Sequence, residues 1–301
     1  MMSPDSVSIV VCSVLGLSLA IPSNTCIVMG NLDIIRKKGK LSPTDVIFLA
    51  KGIVNILLQC VLSLQGMFFV FSLETFYIRQ VFVFINTSIY FLTYYNFWLT
   101  FWLSAHYCTS ITNLSYGFFI RLKRIVSNFL SQLLFLTALG MFIVSVPGFW
   151  IVFEESIQSS ENSTEASVIG FHKLFSYFVP ANTLGCILPF CLSLLCLVLT
   201  FNFLLKHVWR VKNNDSGSTH PNLQAHVTAL RTIFFLLLIF TLFCMSRVLM
   251  FLQNSLLLIV SLCLQLLSPS VEAAIIFQAS NKLRWIILRR FWRKIRRNTE
   301  T

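Results

Sequence analysis

The run Cys186-Ile187-Leu188-Pro189-Phe190-Cys191-Leu192-Ser193-Leu194-Leu195-Cys196-Leu197-Val198-Leu199-Thr200-Phe201-Asn202-Phe203-Leu204-Leu205 carries no charged side chain and stops at Lys206. Coiled into a helix, it is long enough to cross roughly 30 Å of hydrocarbon. A helix is close to obligatory there, because lipid offers no partner for an unpaired backbone N–H or C=O. The pattern repeats outward from this run. Apolar spans fall near residues 6–30, 44–70, 80–110, 127–150, 174–205, 229–250 and 256–280. Between them lie the basic hinge Arg36-Lys37-Lys38-Gly39-Lys40, a turn around Ser72 to Arg79, the stretch Asn113 to Lys123, an acidic loop from Glu154 to Gly170, a polar loop from Lys206 to Gln224, and a tight turn near Gln253 to Ser255. Across 301 residues, 56% are apolar and 11% charged, and the mean hydropathy is +0.78. That is too apolar to hide in one water-soluble core. The expected fold is all-α: a seven-transmembrane helix bundle over residues 1–280, then a basic tail at 281–301.

Charge placement predicts orientation. Arg36, Lys37, Lys38 and Lys40 fall on one side with Arg121, Lys123, Arg124, Lys206, Arg210, Lys212 and the tail from Lys282 to Arg297. Arg79 and Lys173 fall on the other. Cytoplasmic loops carry the Lys and Arg excess, so the N-terminus is expected outside and the tail inside, in a multi-pass protein of the plasma membrane. With that orientation, of the sequons at Asn86, Asn113, Asn162 and Asn214, only Asn162-Ser163-Thr164 is open to glycosylation. The first span has neither a basic n-region nor a small-x-small cleavage site, and is expected to remain as an anchor.

The net charge of +12 does not signal nucleic acid, because the basic residues flank hydrophobic spans instead of covering a folded surface. All nine cysteines lie inside or at the ends of apolar spans, which argues against a disulfide framework or a zinc site. The five histidines show no metal-ligand spacing, no nucleophile motif is present, and neither a metal nor another cofactor is expected. A transporter reading would need internal repeats or broken helices with midplane ionisable groups, and the sequence shows neither. In the tail, apolar and basic residues alternate at helical spacing from Arg284 to Arg297, with Trp285 and Trp292 at headgroup level. This reads as a short amphipathic helix lying on anionic membrane lipid, with a disordered basic tail as the alternative.

Several motifs occur in collinear order: Leu41-Ser42-Pro43-Thr44-Asp45, Phe97-Trp98-Leu99-Thr100-Phe101-Trp102-Leu103 with Tyr107-Cys108, Asn113-Leu114-Ser115 with Leu122-Lys123, Leu188-Pro189-Phe190 with Lys206-His207, Gly217-Ser218-Thr219-His220-Pro221 with Ala225-His226-Val227-Thr228-Ala229-Leu230, and Pro269-Ser270 with Asn281-Lys282-Leu283. Together they resemble the signatures of the bitter taste receptors (taste receptor type 2). The type 1 vomeronasal receptors share the architecture but not the third-loop motif. The resemblance implies a G-protein-coupled receptor, not an enzyme, that detects small, mostly hydrophobic bitter molecules and activates a heterotrimeric, gustducin-like G protein in chemosensory cells. It also implies one outer-loop glycan, at Asn162. Whether the chain forms homo- or hetero-oligomers is left open. The chain departs from the family pattern at Asn55, where the family carries Arg, and at Glu272-Ala273, where it carries His-Ser. Ile89 and Thr93 stand for a Trp and an Asn, and Phe240 for a Tyr.

Candidate functional residues fall at three depths. In the third span Asn86, Tyr90, Thr93 and Phe97 recur at helical spacing, with Tyr94 and Ile89 beside them. With Asn182, Thr183, Phe240, Leu262 and Gln265 they form an expected ligand cavity, although the polar atoms serve equally well as glue between helices. That cavity contains no ionised residue, so neutral or weakly polar ligands are expected. Deeper in, Glu272 needs a partner or a proton. Lys51, Asn55 and Asn24 are the candidates, in a cluster that sets the resting equilibrium; the alternative has Lys51 snorkelling to the interface. Tyr107, Lys123, Arg124, His207 and His226 are expected at the cytoplasmic mouth facing the G protein. Pro147 and Pro189 are expected to kink the fourth and fifth helices.

Overall fold

The computed structural model describes residues 4–71, 76–111, 121, 124–125, 128–158, 176–214, 221–249, 255–280 and 283–285. Long helices account for nearly all of it: α1 (Pro4–Lys38), α2 (Pro43–Phe71), α3 (Phe76–Ile111), α4 (Leu130–Gln158), α5 (residues 176–214), α6 (Pro221–Leu249) and α7 (Ser255–Ala279). Six of the seven are long and apolar enough to cross a membrane. The exception, α3, carries Tyr90, Tyr94, Tyr95, Asn96, Trp98 and Trp102 in its middle. It tolerates them by packing against α2, α4, α5 and α6, so that protein surrounds most of its circumference.

Local chemistry fixes the helix ends. Gly39, at φ +68°, ends α1 in the left-handed conformation, and its N–H donates to Ile35 O at 2.8 Å. Three residues on, Ser42-Pro43-Thr44-Asp45 forms a capping box. Ser42 Oγ donates to Asp45 Oδ2 at 2.6 Å and accepts the Asp45 N–H at 3.3 Å, while Pro43 occupies the first helical position. Several helices overrun their apolar spans. Residues Glu154 and Glu155 lie in α4, and α5 continues to Asn214, where the sequence reading expects loop. Charged residues end a membrane span but do not end a helix, since beyond the lipid water can satisfy whatever the helix leaves unpaired.

Cross-helix contacts give the register. Pairs 55 with 24 and 66 with 13 run α1 and α2 antiparallel, and 51 with 96 and 65 with 86 do the same for α2 and α3; 102 with 137 and 91 with 142 set α4 antiparallel to α3; 90 with 178 and 94 with 182 lay α5 parallel to α3; and 247 with 265 and 231 with 278 reverse α6 against α7. α7 closes on α1 and α2. The face where α1 begins is the N-face and the opposite one the C-face.

Burial is inverted relative to a soluble protein. Phe135 and Phe84 are 69% and 64% exposed, while Lys51 and Asn55 are 0% exposed. Hydroxyls on these helices often satisfy themselves on their own backbone, as Thr100 does with Asn96 O and Thr200 with Cys196 O.

Pro147 lies inside α4. Near Pro189, α5 passes through a π-helical turn, Thr183–Ile187. There the Leu188 N–H reaches back to Thr183 O, which frees Leu184 O. Trp98 Nε1 of α3 donates to that carbonyl at 3.1 Å. Opposite, Gly185 lies against the Tyr94 ring, where a Cβ would overlap it. After α7, Ser280 Oγ accepts the Leu283 N–H at 3.3 Å, and the buried Leu283 side chain packs against Gly30 of α1. The rest of the tail from residue 286, with its expected amphipathic helix, lies outside the described residues, as do Asn162 and Lys123.

Candidate functional site

Four helices meet at mid-bundle around Glu272. α7 delivers its carboxylate to a space lined by Lys51 and Asn55 of α2, Asn96 of α3 and Asn24 of α1, all buried. Lys51 and Asn55 are one turn apart and so share a helix face. Lys51 Nζ donates to Glu272 Oε2 at 3.1 Å and to Asn96 Oδ1 at 2.6 Å. Glu272 Oε2 also accepts from Asn55 Nδ2 at 3.2 Å and Asn96 Nδ2 at 3.0 Å. Asn96 Nδ2 donates to Asn55 Oδ1 at 3.1 Å, and Asn55 Nδ2 to Asn24 Oδ1 at 3.4 Å. Asn24 Nδ2 closes the chain on Pro269 O at 3.2 Å. A carboxylate and an ammonium at this depth are each costly alone. Here each charge has the other, and amides fill the remaining sites.

Asn24, Lys51, Asn55 and Glu272 are thus gathered, with Lys51 turned inward instead of toward an interface. Asn96 was not among the sequence candidates, although it holds both charges. The available signal was an Asn at lipid depth in the third span, three residues beyond Thr93.

Nearer the N-face, a cleft between α3, α4 and α5 is lined by Val83, Asn86, Thr87, Tyr90, Tyr94, Ser145, Tyr177 and Phe178, and has an accessible volume of about 30 Å³. Aromatic packing shapes it: Tyr90 lies 5.4 Å from Phe178 and 5.9 Å from Tyr94, centroid to centroid. Gln65 Nε2 holds Asn86 Oδ1 at 2.9 Å, Tyr94 OH donates to Asn182 Oδ1 at 3.1 Å, and Tyr177 OH donates to Val144 O.

Of the sequence candidates, Asn86, Tyr90 and Tyr94 line this cleft and Asn182 sits behind it. Ile89, Thr93 and Phe97 are buried. Phe97 packs edge to face on Phe240, and Phe190 lies tilted against the same ring. Leu262 and Gln265 are buried in α7. Thr183 is exposed on α5, its hydroxyl bonded to Val179 O of its own helix, and does not reach the cleft.

None of the residues lining this cleft is ionised, but a cation, Arg247, stands outside the lining on the Tyr90 ring. Counted within the sixth apolar span, Arg247 lies half-buried near the N-face end of α6. Its guanidinium stands 4.7 Å from the Tyr90 ring centroid, and Nη1 donates to Gln265 Oε1 at 3.4 Å. The long stem lets the charge turn inward onto an aromatic face, where the ring quadrupole attracts it.

At the C-face, Tyr107 is half-buried against the main core and Arg124 is exposed. His207 and His226 fall within α5 and α6, with side chains outside the described residues. Arg231 Nη2 donates to Gln278 Oε1 at 3.1 Å, tying α6 to α7 on this side.

A profile of the taste receptor protein (TAS2R) family matches residues 1–294. Among characterised proteins, taste receptor type 2 member 9 of Macaca mulatta is 27% identical over 291 residues, covering 91% of this chain and 89% of that protein. Taste receptor type 2 member 40 of Gallus gallus is 26% identical over 236 residues, 76% of this chain and 73% of its own length. Member 41 of Rattus norvegicus is 28% identical over 215 residues, 70% of each.

Proposed function

We infer the finer function from a fixed premise: the chain belongs to the taste receptor type 2 family, and is therefore a multi-pass bitter taste receptor of the plasma membrane, with small-molecule ligands and a G protein partner. The N-face is extracellular and the C-face cytoplasmic, which the distribution of Lys and Arg favours. Small, mostly hydrophobic bitter molecules enter the N-face cleft, and a gustducin-like heterotrimer engages the C-face around Tyr107, Lys123, Arg124, His207 and His226. Anionic lipid binds the tail. Asn162 carries the glycan, and loss of a glycosidase-sensitive shift in Asn162→Gln tests the orientation.

The observation that carries the mechanism is the five-residue network at Glu272, because it joins α1, α2, α3 and α7 below the cleft. A ligand changes the C-face only if it binds one arrangement of the bundle better than another. The cleft's accessible volume of about 30 Å³ is far below that of ligand cavities, which run roughly 300–1,000 Å³, so an arrangement with a wider cleft is the one a ligand selects. Widening it moves α3 against α5, and α3 bears Asn96 two turns below Tyr90. The Lys51-Asn55-Glu272 grouping stands in place of the family's Arg and His and sets how readily that movement occurs.

The test is a calcium-release assay in cells co-expressing a promiscuous G protein. Substituting Tyr90 or Tyr94 should raise the half-maximal ligand concentration, and Asn96→Leu should change basal activity. Full responses with normal potency in all three would defeat the reading.

A further inference from the structure

Two thiols meet where α5 packs on α6. Cys186, in the π-helical turn of α5, lies within hydrogen-bonding reach of Cys244 on α6, its S–H placed to donate to the Cys244 sulfur. The packing around them has the same register. Phe190 and Phe240 lie 5.2 Å apart, centroid to centroid, one turn farther along α5 and one turn back along α6. Residues four apart share a helix face, so the pairs 186 with 244 and 190 with 240 describe a single antiparallel seam. Gly185 faces Tyr94 of α3, which leaves its neighbour Cys186 to face α6. Arg247 stands one turn from Cys244 and acts electrostatically on both sulfurs. Both cysteines are free thiols and only half-buried, within reach of a small neutral solute. Among the described residues no third His, Cys, Asp or Glu joins them, so the pair lacks the ligand count of a zinc site.

We propose that Cys186 and Cys244 form a peroxide-sensitive dithiol, which hydrogen peroxide oxidises to a disulfide tying α5 to α6. The Cys244 thiolate attacks one peroxide oxygen, the O–O bond breaks, and the departing oxygen leaves as water with the proton that Cys244 gave up. Cys244 is then a sulfenic acid. The Cys186 sulfur attacks the sulfenic sulfur, the S–O bond breaks, and the hydroxyl leaves with the Cys186 proton as a second water. Two thiols have lost two electrons and two protons, and one peroxide has become two waters. Arg247 offsets the negative charge on the attacking sulfur, and the Cys186 S–H, already directed at Cys244, places the second nucleophile beside the first. The thiol contacts of Cys196 with Cys108 and of Cys263 with Cys12 lie between other helices and serve as internal standards. This chemistry is separate from ligand recognition in the cleft and does not depend on it.

The test treats purified, reduced, full-length receptor in lipid nanodiscs with hydrogen peroxide and maps linked peptides by mass spectrometry over time. The link between Cys186 and Cys244 should form roughly fivefold or more faster than a link at either of the other two contacts. Dithiothreitol should reverse it, and the linked protein should unfold at a higher temperature than the reduced one. Absence of this link in the wild-type protein overturns the proposal, as does formation of all three links at equal rates. Neither outcome needs a variant to fold. Two sets of variants then examine the chemistry. Arg247→Gln should slow the link several-fold, and an unchanged rate would remove the guanidinium from the mechanism. With dimedone present, Cys186→Ala should accumulate a sulfenic adduct at Cys244, while Cys244→Ala should give little adduct at Cys186. Label appearing mainly at Cys186 overturns the assigned order of attack.

Discussion

The mid-bundle network and the N-face cleft lie on the same helix, about two turns apart, and are built by opposite rules. Around Glu272, one carboxylate oxygen accepts from three donors and each charge has its opposite within reach. Around Tyr90, rings meet rings, and the described cation has only an aromatic face and a neutral amide. Directional bonds among five side chains define one geometry sharply, because any displacement leaves a buried polar group unmatched. Aromatic contacts are broad in angle and lose little when a ring turns. The first region suits a latch and the second a surface that reshapes around a guest.

The largest effect expected from this contrast is at the latch. Glu272→Gln removes one charge and leaves Lys51 without its counter-ion, at a cost of about 3–5 kcal/mol. Replacing both residues, as Lys51→Met with Glu272→Gln, should recover most of it, since neither side chain then carries a buried charge to desolvate. Thermal unfolding of the two variants beside the wild type in nanodiscs measures this. A double variant no more stable than the single one would show that the ion pair is not what holds the latch.

A smaller effect is expected where α5 touches the cleft. Gly185→Ala forces a methyl into the Tyr94 ring, an overpacking worth about 1–3 kcal/mol. Combined with Tyr94→Ala the cost should largely disappear, a non-additivity that marks direct contact. Trp98→Phe strips the donor from Leu184 O, which the π-helical turn leaves unpaired in lipid, and should cost about 1 kcal/mol. Both are read as shifts in unfolding temperature. An additive Gly185 and Tyr94 pair would mean that α3 and α5 part easily.

How far the sequence reached follows the same division. The seven spans, the Ser42 to Asp45 helix start and the turn at Gly39 are local, since each depends on residues within a few positions. The meeting of Lys51, Asn55, Asn24 and Glu272 was also within reach, because charges and amides at lipid depth have few places to go. Asn96 was missed because α3 is polar on more than one side. The stripe Asn86, Tyr90, Thr93 and Phe97 and the stripe Ile89, Thr93, Asn96 and Thr100 are both helical faces, and only packing against α2 and α7 shows that the second one meets Glu272. Arg247 escaped because its position reads as span end, while its orientation is set by Tyr90 and Gln265 from two other helices.

Thr93 sharpens the comparison most finely, since it belongs to both stripes and lies three residues from Asn96. Its Oγ1 is buried and has no hydrogen-bond partner among the described residues, unlike that of Thr100, which donates to Asn96 O one turn earlier in the same helix. A buried hydroxyl without a partner carries a desolvation penalty with nothing to offset it, so the isosteric Thr93→Val should leave stability unchanged within about 0.5 kcal/mol or raise it slightly. Asn96→Leu, of comparable size and one turn deeper, removes bonds to both charges and should lower it clearly. Unfolding temperatures of the two variants, measured side by side, decide the matter. Equal losses would erase the boundary between an adaptable upper half of α3 and a fixed lower half, because Thr93 would then be held by partners of its own.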